Sequence, residues 1–431
     1  MRRTAILALS TVTLALTACG APGGGVQSAA LQPLALTRAS GALDPTYGTA
    51  GIVNPAGGQF SAGLAIQQNG AALVLTSSGR SVFPPGLTTT LTRLTPQGQA
   101  DATFGQRGAV TLSGGAGALA LVCLNGANSY GDWGAACDLP ERPLVAVTFS
   151  SRDTPRQTDL KLYRFLPSGQ PDPAFGQNGV VTAPPAWRSY VVSIRIQADG
   201  KMLLAGGFIG TPGGGYLGRL NRNGTPDLDF GTDGLVRLPP DQTPMAMVLP
   251  ESEYPVVLIF GSTSVSVARF TDAGQPDTRF GSGGMVGFDF GPSGNGYALL
   301  ARENGKVVVG GTGALYQARA DGKPDPGFGM NGRVALPNQT VNGLTLDDQG
   351  RLVAGVDGVA GRGKATVARF LPEGSLDPSF GTGGLASVLI GPGAGSWGFD
   401  QVAVQRDGRI LGAATHSFHH ADNVAVARLL P

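Results

Sequence analysis

The chain has 431 residues, of which 69 are Gly and 31 are Pro, and this content of helix-interrupting residues excludes a mostly helical protein. Charged residues make up 14% of the chain and the formal net charge is +2. This balance gives no basic footprint for nucleic acid and is unlike a disordered acidic tail, so we expect no nucleic-acid partner.

The N-terminus is predicted to be an export signal. Arg2 and Arg3 precede an uncharged apolar run over residues 5–16, which is too short to span a bilayer comfortably. Residues 16–19, LTAC, resemble the bacterial lipobox. This resemblance implies a signal peptide over residues 1–18 and a mature chain that begins at a lipidated Cys19, with a diacylglycerol and an acyl chain such as palmitate. The alternative is an ordinary secretory signal with a coincidental Cys.

A flexible tether is predicted to follow the lipid. Residues 20–33 read GAPGGGVQSAALQP, with small residues and neither helical nor strand periodicity. The lipidated Cys and this tether would together occupy residues 19–33. We therefore expect a membrane partner through the N-terminal lipid and a location on the extracytoplasmic side of the cell envelope.

Two further cysteines, Cys123 and Cys137, remain once Cys19 is assigned to the lipid. Export implies an oxidising compartment, which makes this pair a candidate disulfide. The loop of about 15 residues would contribute on the order of 3 kcal/mol of stability. Two free thiols are the alternative, because the sequence does not give the distance between them.

Internal repetition dominates the rest of the chain. An eleven-residue phrase such as PDPAFGQNGVV, from Pro171, recurs seven times at intervals of 48 to 71 residues, which is close to the period of a propeller blade. The aspartates of the seven copies are Asp44, Asp101, Asp172, Asp227, Asp277, Asp325 and Asp377.

Each period also contains a hairpin phrase, such as IRIQADGKMLLAGG from Ile194, and a strand that ends in Arg, such as VARF. Asp-Gly and Asn-Gly supply the positive φ angles of tight hairpins. The sequence therefore predicts an all-β fold, a seven-bladed β-propeller built from about 50-residue four-stranded repeats over residues 34–431. The chain opens and closes with strand-like tails, so we expect the ring to close by pairing strands from its two ends.

These phrases together resemble the delta-60 repeat family of bacterial surface and secreted proteins. The resemblance covers nearly the whole mature chain, although the second copy has Ala102 in place of Pro and the first has Tyr47 in place of Phe. It implies a propeller-like fold and no established activity.

The repeated phrase itself predicts a structural joint. In most units an Arg lies eight residues before the Asp, as with Arg164 and Asp172, and we expect a bidentate ion pair across the turn between blades. The aromatic residue of each phrase is expected to pack between blades. These residues are Tyr47, Phe104, Phe175, Phe230, Phe280, Phe328 and Phe380.

Residues for catalysis are sparse. The histidines, His416, His419 and His420, lie close to Asp422 and form a weak candidate metal site whose spacing matches no metalloenzyme motif. No catalytic residue and no cofactor is predicted. A propeller-type enzyme that acts on glycans stays open as an alternative, because loops can bring distant carboxylates together.

Aromatic residues in connections of variable length suggest a ligand face. The candidates are Tyr130, Trp133, Trp187, Tyr297 and Trp397, and the alternative is that these rings pack inside the blade edges. The sequence thus favours a noncatalytic binding or interaction module with an envelope protein or glycan as partner. The glycan-active enzyme and a structural envelope protein stay open beside it.

Overall fold

A computed structural model of the chain divides it into two compact units, residues 1–37 and 38–431. All described residues lie in the second unit. They are residues 39–55, 58–79, 86–122, 141–150, 158–187, 189–208, 213–250, 252–261, 264–291, 294–358, 363–391, 397–416 and 424–431.

The described residues form six antiparallel sheets. The first sheet contains β2 (Phe60–Ile66), β3 (Ala72–Ser77), β4 (Thr88–Leu94) and β5 (Ala109–Ser113). The second contains β6 (Gly115–Val122), β7 (Arg142–Ser150), β8 (Thr158–Arg164) and β9 (Val180–Thr182). The third contains β10 (Ser189–Ile196), β11 (Met202–Phe208), β12 (Gly215–Leu220) and β13 (Leu235–Arg237).

The fourth sheet contains β14 (Thr243–Val248), β15 (Val256–Phe260), β16 (Val265–Arg269) and β17 (Met285–Phe288). The fifth has six strands, β18 (Gly296–Ala301), β19 (Val307–Ala318), β20 (Arg333–Leu346), β21 (Leu352–Asp357), β22 (Lys364–Phe370) and β23 (Leu385–Leu389). The sixth contains β24 (Trp397–Val404), β25 (Ile410–His416), β26 (Val424–Leu429) and β1 (Ile52–Val53). Short 3-10 turns lie at Pro185–Trp187 and Glu303–Gly305.

The expectation of seven separate blades is wrong, because the described residues form six sheets and one of them has six strands. The fifth sheet contains two of the seven repeat units. The first part of β19 pairs with β18, whereas Thr312 pairs with Thr340 of β20 and Ala314–Tyr316 pair with the start of β20. The second half of β20 then pairs with β21. The pairing of Thr312 with Thr340 thus joins the two units into one continuous sheet.

The core lies between neighbouring sheets. One cluster joins Leu144 of the second sheet to Leu204 of the third, and another joins Val74 of the first sheet to Leu411 of the sixth. Because both faces of a sheet are covered, its central strands are apolar at consecutive positions, as in Leu203-Leu204-Ala205, which is fully buried.

The ring closes as the sequence predicts, by pairing strands from the two ends of the described chain. Ile52 and Val53 of β1 pair with Ala427 and Val426 of β26. Upstream of β1, the amide of Asp44 donates to the carbonyl of Arg428 at 2.8 Å. The fold is therefore an all-β propeller arrangement. Among the described residues, no helix has the length and hydrophobicity needed to cross a membrane.

Candidate functional site

The repeated aspartate forms an ion pair with an Arg in six of the seven units. In five of them the Arg lies eight residues before the Asp, as the sequence predicts, whereas Asp44 pairs with Arg428 of β26. In each of these six units the Asp lies 2.6–3.0 Å from the Arg, and the Arg lies over the aromatic ring of the same phrase, 4.4–4.8 Å from its centroid. We call each such group a joint. The Arg residues are Arg93, Arg164, Arg219, Arg269, Arg369 and Arg428.

The geometry of a joint differs from the expected bidentate pair. In the joint of Asp172, one carboxylate oxygen accepts from Arg164 Nε at 2.7 Å, and the other accepts from the backbone amide of Ala174 at 3.0 Å. The second oxygen is therefore used to fix the turn, and the guanidinium has nitrogens left for other partners. In the third sheet, Arg219 Nη1 donates to the carbonyl of Asp272 in the next unit at 2.7 Å. The Arg, rather than the Asp, thus connects neighbouring units.

The aromatic residues of the seven phrases are fully buried, which confirms that they pack in the core. The glycine after each ring has a structural reason at Gly176, whose φ is +53° and where a Cβ would overlap the carbonyl oxygen of Val180. The glycine amide also joins units, since the amide of Gly105 donates to the carbonyl of Ser168 at 2.8 Å.

A second cation lies at most joints, in addition to the Arg that the repeated pattern predicts. Lys201 Nζ lies 3.1 Å from Asp227, and Arg409 Nε lies 2.7 Å from Asp44. Each basic residue directly follows the Gly of a hairpin phrase, so the phrases QADGK and QRDGR carry a signal for the cation as well as for the turn. The other second cations are Arg351, which also directly follows such a Gly, and Arg142 and Arg279, which do not.

The unit of Asp325 lacks the Arg of a joint but has equivalent contacts, and we count it as the seventh joint. Gln317 stands where the other units have Arg and donates to Asp325 at 2.7 Å, while Lys306 lies 2.8 Å from the same carboxylate. Arg302 donates to Gln317 at 2.7 Å and to the carbonyl of Pro372 in the next unit at 2.9 Å. The connection between units is thus retained by an Arg that directly follows β18.

These contacts lower the pKa of all seven aspartates. For Asp172, burial alone would raise the pKa, but hydrogen bonds from Arg142 and the Ala174 amide and the charge of Arg164 outweigh it. The same direction holds at Asp44, Asp101, Asp227, Asp277, Asp325 and Asp377. The carboxylates are therefore ionised partners of structural cations, and we assign the joints to architecture.

A second repeated feature lies at the other end of the units. The first strand of each unit is called its lead strand, and the lead strands are β2, β6, β10, β14, β18, residues 340–346 of β20, and β24. Each contacts the lead strand before it and after it, and β24 contacts β2, so the seven form a closed ring. Every lead strand has a β-bulge near its start.

The residues at the seven bulges form what we call the bulge ring. They are Ala62, Ala116, Val192, Met245, Tyr297, Asn342 and Asp400. The joints contact the hairpins that follow the lead strands, so bulges and joints are separated by the length of a lead strand, about 20 Å. Bulges re-aim side chains and are frequent next to functional sites, which makes this ring the candidate site.

Exposure distinguishes the members of the bulge ring. Met245 and Tyr297 are 38% and 37% exposed, and Asn342 and Asp400 are half-buried. Their lead strands follow one another around the ring, so an apolar part of the ring adjoins a polar part. Large side chains left partly in solvent at adjacent positions are candidates for ligand contact.

The structure separates the aromatic residues that the sequence groups on one ligand face. Tyr297 is partly exposed, but Trp187 is 1% exposed and lies against Gly218, and Trp397 is 9% exposed and packs with its ring centroid 5.0 Å from that of His416. Trp187 and Trp397 thus lie in the hydrophobic core, where their rings fill space between strands. Tyr130 and Trp133 lie outside the described residues.

Other predicted sites fall largely outside the described part of the chain, namely Cys19, Cys123, Cys137, His419 and His420. His416 is described and contacts Trp397. Within the described ranges, no group of three or more His, Cys, Asp or Glu side chains could hold a metal ion.

Comparison with known proteins finds a matching family model, described as a domain of unknown function (DUF5122) beta-propeller, over residues 197–230 and 350–380. Both segments run from a hairpin turn or its close neighbourhood to the aromatic residue of a repeated phrase. No curated protein matches the chain significantly.

Among solved structures, the chain is similar to an extracellular domain from B. thetaiotaomicron, with 12% identity and a TM-score of 0.41, covering 88% of this chain and 39% of that one. A puromycin-hydrolyzing peptidase from Mycobacterium tuberculosis has 11% identity and a TM-score of 0.45, with 92% and 57% covered. The polysaccharide lyase Uly1 has 10% identity and a TM-score of 0.46, with 89% and 91% covered.

This chain therefore spans well under two thirds of the first structure and of the peptidase. At these identities and TM-scores, none of the three transfers an activity to it. The sheets, the closure and the matched family model together show that the chain folds as a β-propeller of repeated units.

Proposed function

We propose that this chain is a membrane-anchored extracytoplasmic lipoprotein whose β-propeller is a noncatalytic binding or interaction module. The observation that carries the binding role is the bulge ring, in which Met245 and Tyr297 stay partly exposed on adjacent lead strands of a rigid scaffold. Recognition residues on repeat proteins commonly lie on one face of such a scaffold.

The binding role is tested by capture from the envelope extract of the source cell. The bait is the full chain with Cys19→Ser, which removes lipid attachment, and it is compared with the same chain carrying Met245→Ala and Tyr297→Ala. We expect the double variant to lose most of the captured material. Leu228→Ala is the matched control, because Leu228 is 71% exposed but directly follows the joint residue Asp227 and is not part of the bulge ring.

Capture that is equal for all three baits would contradict a role for the bulge ring. Absence of any specific capture by the parent bait would contradict the binding module itself. A further bait that lacks residues 123–137 shows how much of the captured material depends on this segment of the long second unit and how much on the bulge ring.

The anchor is proposed from the sequence of residues 1–19. We expect mass spectrometry of the mature protein to find a lipidated Cys19 at its N-terminus, and Cys19→Ser to release the protein from the membrane fraction. A mature N-terminus at another residue, without lipid, would contradict the anchor.

Cys123 and Cys137 are proposed to form a disulfide in the exported protein. Peptide mapping without reductant is expected to recover residues around both cysteines as one linked species. Complete alkylation of both thiols in the native protein would contradict the pairing.

A further inference from the structure

Three consecutive lead strands carry the aromatic and polar members of the bulge ring, and each of these side chains is held by a neighbour. Asn295 Nδ2 donates to Tyr297 Oη at 3.1 Å, Asn342 Nδ2 donates to Asp357 Oδ2 at 2.7 Å, and the Thr415 hydroxyl donates to Asp400. We call Tyr297, Asn342 and Asp400 the bulge triad. Side chains fixed in this way are preorganised for a ligand, which reduces the entropy lost on binding.

The backbone brings the polar pair of the triad close together. A Cβ at Gly343, directly after Asn342, would lie 2.9 Å from the carbonyl oxygen of Asp400. Glycine at this position therefore allows the two bulges to approach, and it places an amide and a carboxylate on neighbouring strands. β18, which carries Tyr297, contacts β20, which carries Asn342.

Asp357 acts as the support for Asn342. Its Oδ1 is buried without a hydrogen-bond partner among the described residues. A Cβ at Gly398 would overlap this oxygen, so glycine at position 398 leaves room for the carboxylate. Burial raises the pKa of Asp357 despite the hydrogen bond from Asn342. Asn342 donates one amide N–H to Asp357, so its carbonyl oxygen and its second N–H are the groups that a ligand can use.

The chemistry of the triad favours hydroxyl-rich, uncharged ligands. The partly exposed Tyr297 ring offers an apolar face with a polar tip, and the amide and carboxylate accept and donate the hydrogen bonds that hydroxyl groups make. The seven described residues of the bulge ring include one carboxylate and no basic residue, so these seven offer no counter-ion to a phosphate, sulfate or uronate group. A pyranose has both an apolar C–H face and a hydroxyl edge.

We propose that the bulge triad binds a neutral oligosaccharide, with a sugar ring against Tyr297 and hydroxyl groups on Asn342 and Asp400. This inference rests on the proposed binding function and names its ligand class. Met245, on the preceding lead strand, extends the apolar side of the site toward a second sugar unit.

The test uses the full chain with Cys19→Ser on an array of defined oligosaccharides, with neutral glucans, mannans, xylans and chitin fragments beside uronate-containing and sulfated ones. Hits are then titrated calorimetrically. We expect binding to neutral members and a loss of about tenfold or more in affinity for Tyr297→Ala and for Asp400→Asn. Tyr297→Phe keeps the ring and loses only the hydrogen bond from Asn295, so a smaller loss, below about threefold, is expected. Leu228→Ala is expected to bind as the parent does.

The supporting role of Asp357 has its own readout. Asp357→Ala is expected to weaken saccharide binding, and Asp357→Asn is expected to restore it, because the Asn carbonyl still accepts from Asn342. Each variant is first shown to melt as a folded protein. If Asp357→Asn binds as poorly as Asp357→Ala, Asp357 does not act by positioning the amide.

Binding restricted to anionic saccharides, to amines or to peptides would overturn the ligand class while leaving the binding module in place. Neutral binding unaffected by the triad variants would overturn the site. If the array is silent while the envelope extract yields a specific partner, only the saccharide inference fails. Silence in both experiments removes the proposed function as well.

Discussion

Asp172 shows what the recurring aspartate does, because three groups meet at its carboxylate. Arg142 and Arg164 donate to one oxygen and the amide of Ala174 to the other, and the residue is 1% exposed. Removing the carboxylate would leave two guanidinium groups without their common counter-ion and the turn without its cap. The cost is therefore dominated by the partners left behind.

Asp172→Ala is expected to lower the free energy of unfolding by about 3–5 kcal/mol. The measurement is a urea titration followed by circular dichroism. Asp348→Ala, at an exposed hairpin position, serves as the control and is expected to change stability by less than about 0.5 kcal/mol. Equal midpoints for the two variants would show that the joint does not stabilise the fold.

Stability is expected to fall in acid through the seven joint aspartates. Their pKa values are lowered in the folded chain, so their contribution is fully present above the unfolded value of about 4 and is lost as the pH falls through the folded values. Burial raises the pKa of Glu141 and Asp357, which act in the opposite direction but are only two groups within the described ranges. Melting temperatures between pH 7 and pH 2 should therefore drop mainly below pH 4. A drop that is complete by pH 5 would contradict this assignment.

At this scale the sequence is informative where a residue type repeats in register. The pairing of Arg164 with Asp172 and the burial of Phe175 follow from repetition alone. Lys201 and Arg409 also repeat in register, each after the Gly of a hairpin phrase, but this register does not identify their partners. They are far from their aspartates along the chain and meet them only in the folded sheet. Trp187 and Tyr297 look alike as aromatic residues of connections, and only the packing around Gly218 separates a buried ring from an accessible one.

At the scale of elements, the bulges of the lead strands are the feature that the sequence pattern does not reveal. A bulge is a register shift between two strands, so no residue type marks it, and the seven bulge residues range from Ala62 to Asp400. The sequence pattern does not predict the number of sheets either, for a related reason. Whether two units share one sheet depends on the pairing of Thr312 with Thr340, which is a tertiary contact.

The pairing of β1 with β26 predicts that the last strand is essential. Val426, Ala427 and Leu429 are fully buried, and Arg428 holds Asp44 at 3.0 Å. Deleting residues 424–431 exposes the edges of β25 and β1 and removes one side of the core between the first and sixth sheets. We expect this variant to lose its cooperative melting transition.

Deleting the predicted tether, residues 20–33, is the matched control for that truncation and should leave the melting temperature unchanged. Calorimetry of the two deletion variants and the parent gives the melting transitions to be compared. A C-terminal deletion that melts like the parent would mean that the ring does not depend on this closure.

The whole molecule combines a predicted lipid anchor with a closed ring that has two different ends. One end carries the joints, whose charged groups are used in holding units together. The other end carries the bulge ring, where Tyr297, Asn342 and Asp400 are held in place by side chains that have no part in the joints. We therefore assign stability to one end of the lead strands and recognition to the other.

Hydrogen–deuterium exchange of the full chain, with and without the ligand fraction it captures, tests this division most directly. We expect slower exchange in peptides covering residues 296–301, 340–346 and 397–404, and unchanged exchange in the joint turns at residues 226–230 and 324–330. Protection confined to the joint turns or to residues 123–137, with none at the bulge triad, would contradict the assignment of recognition to the bulge ring.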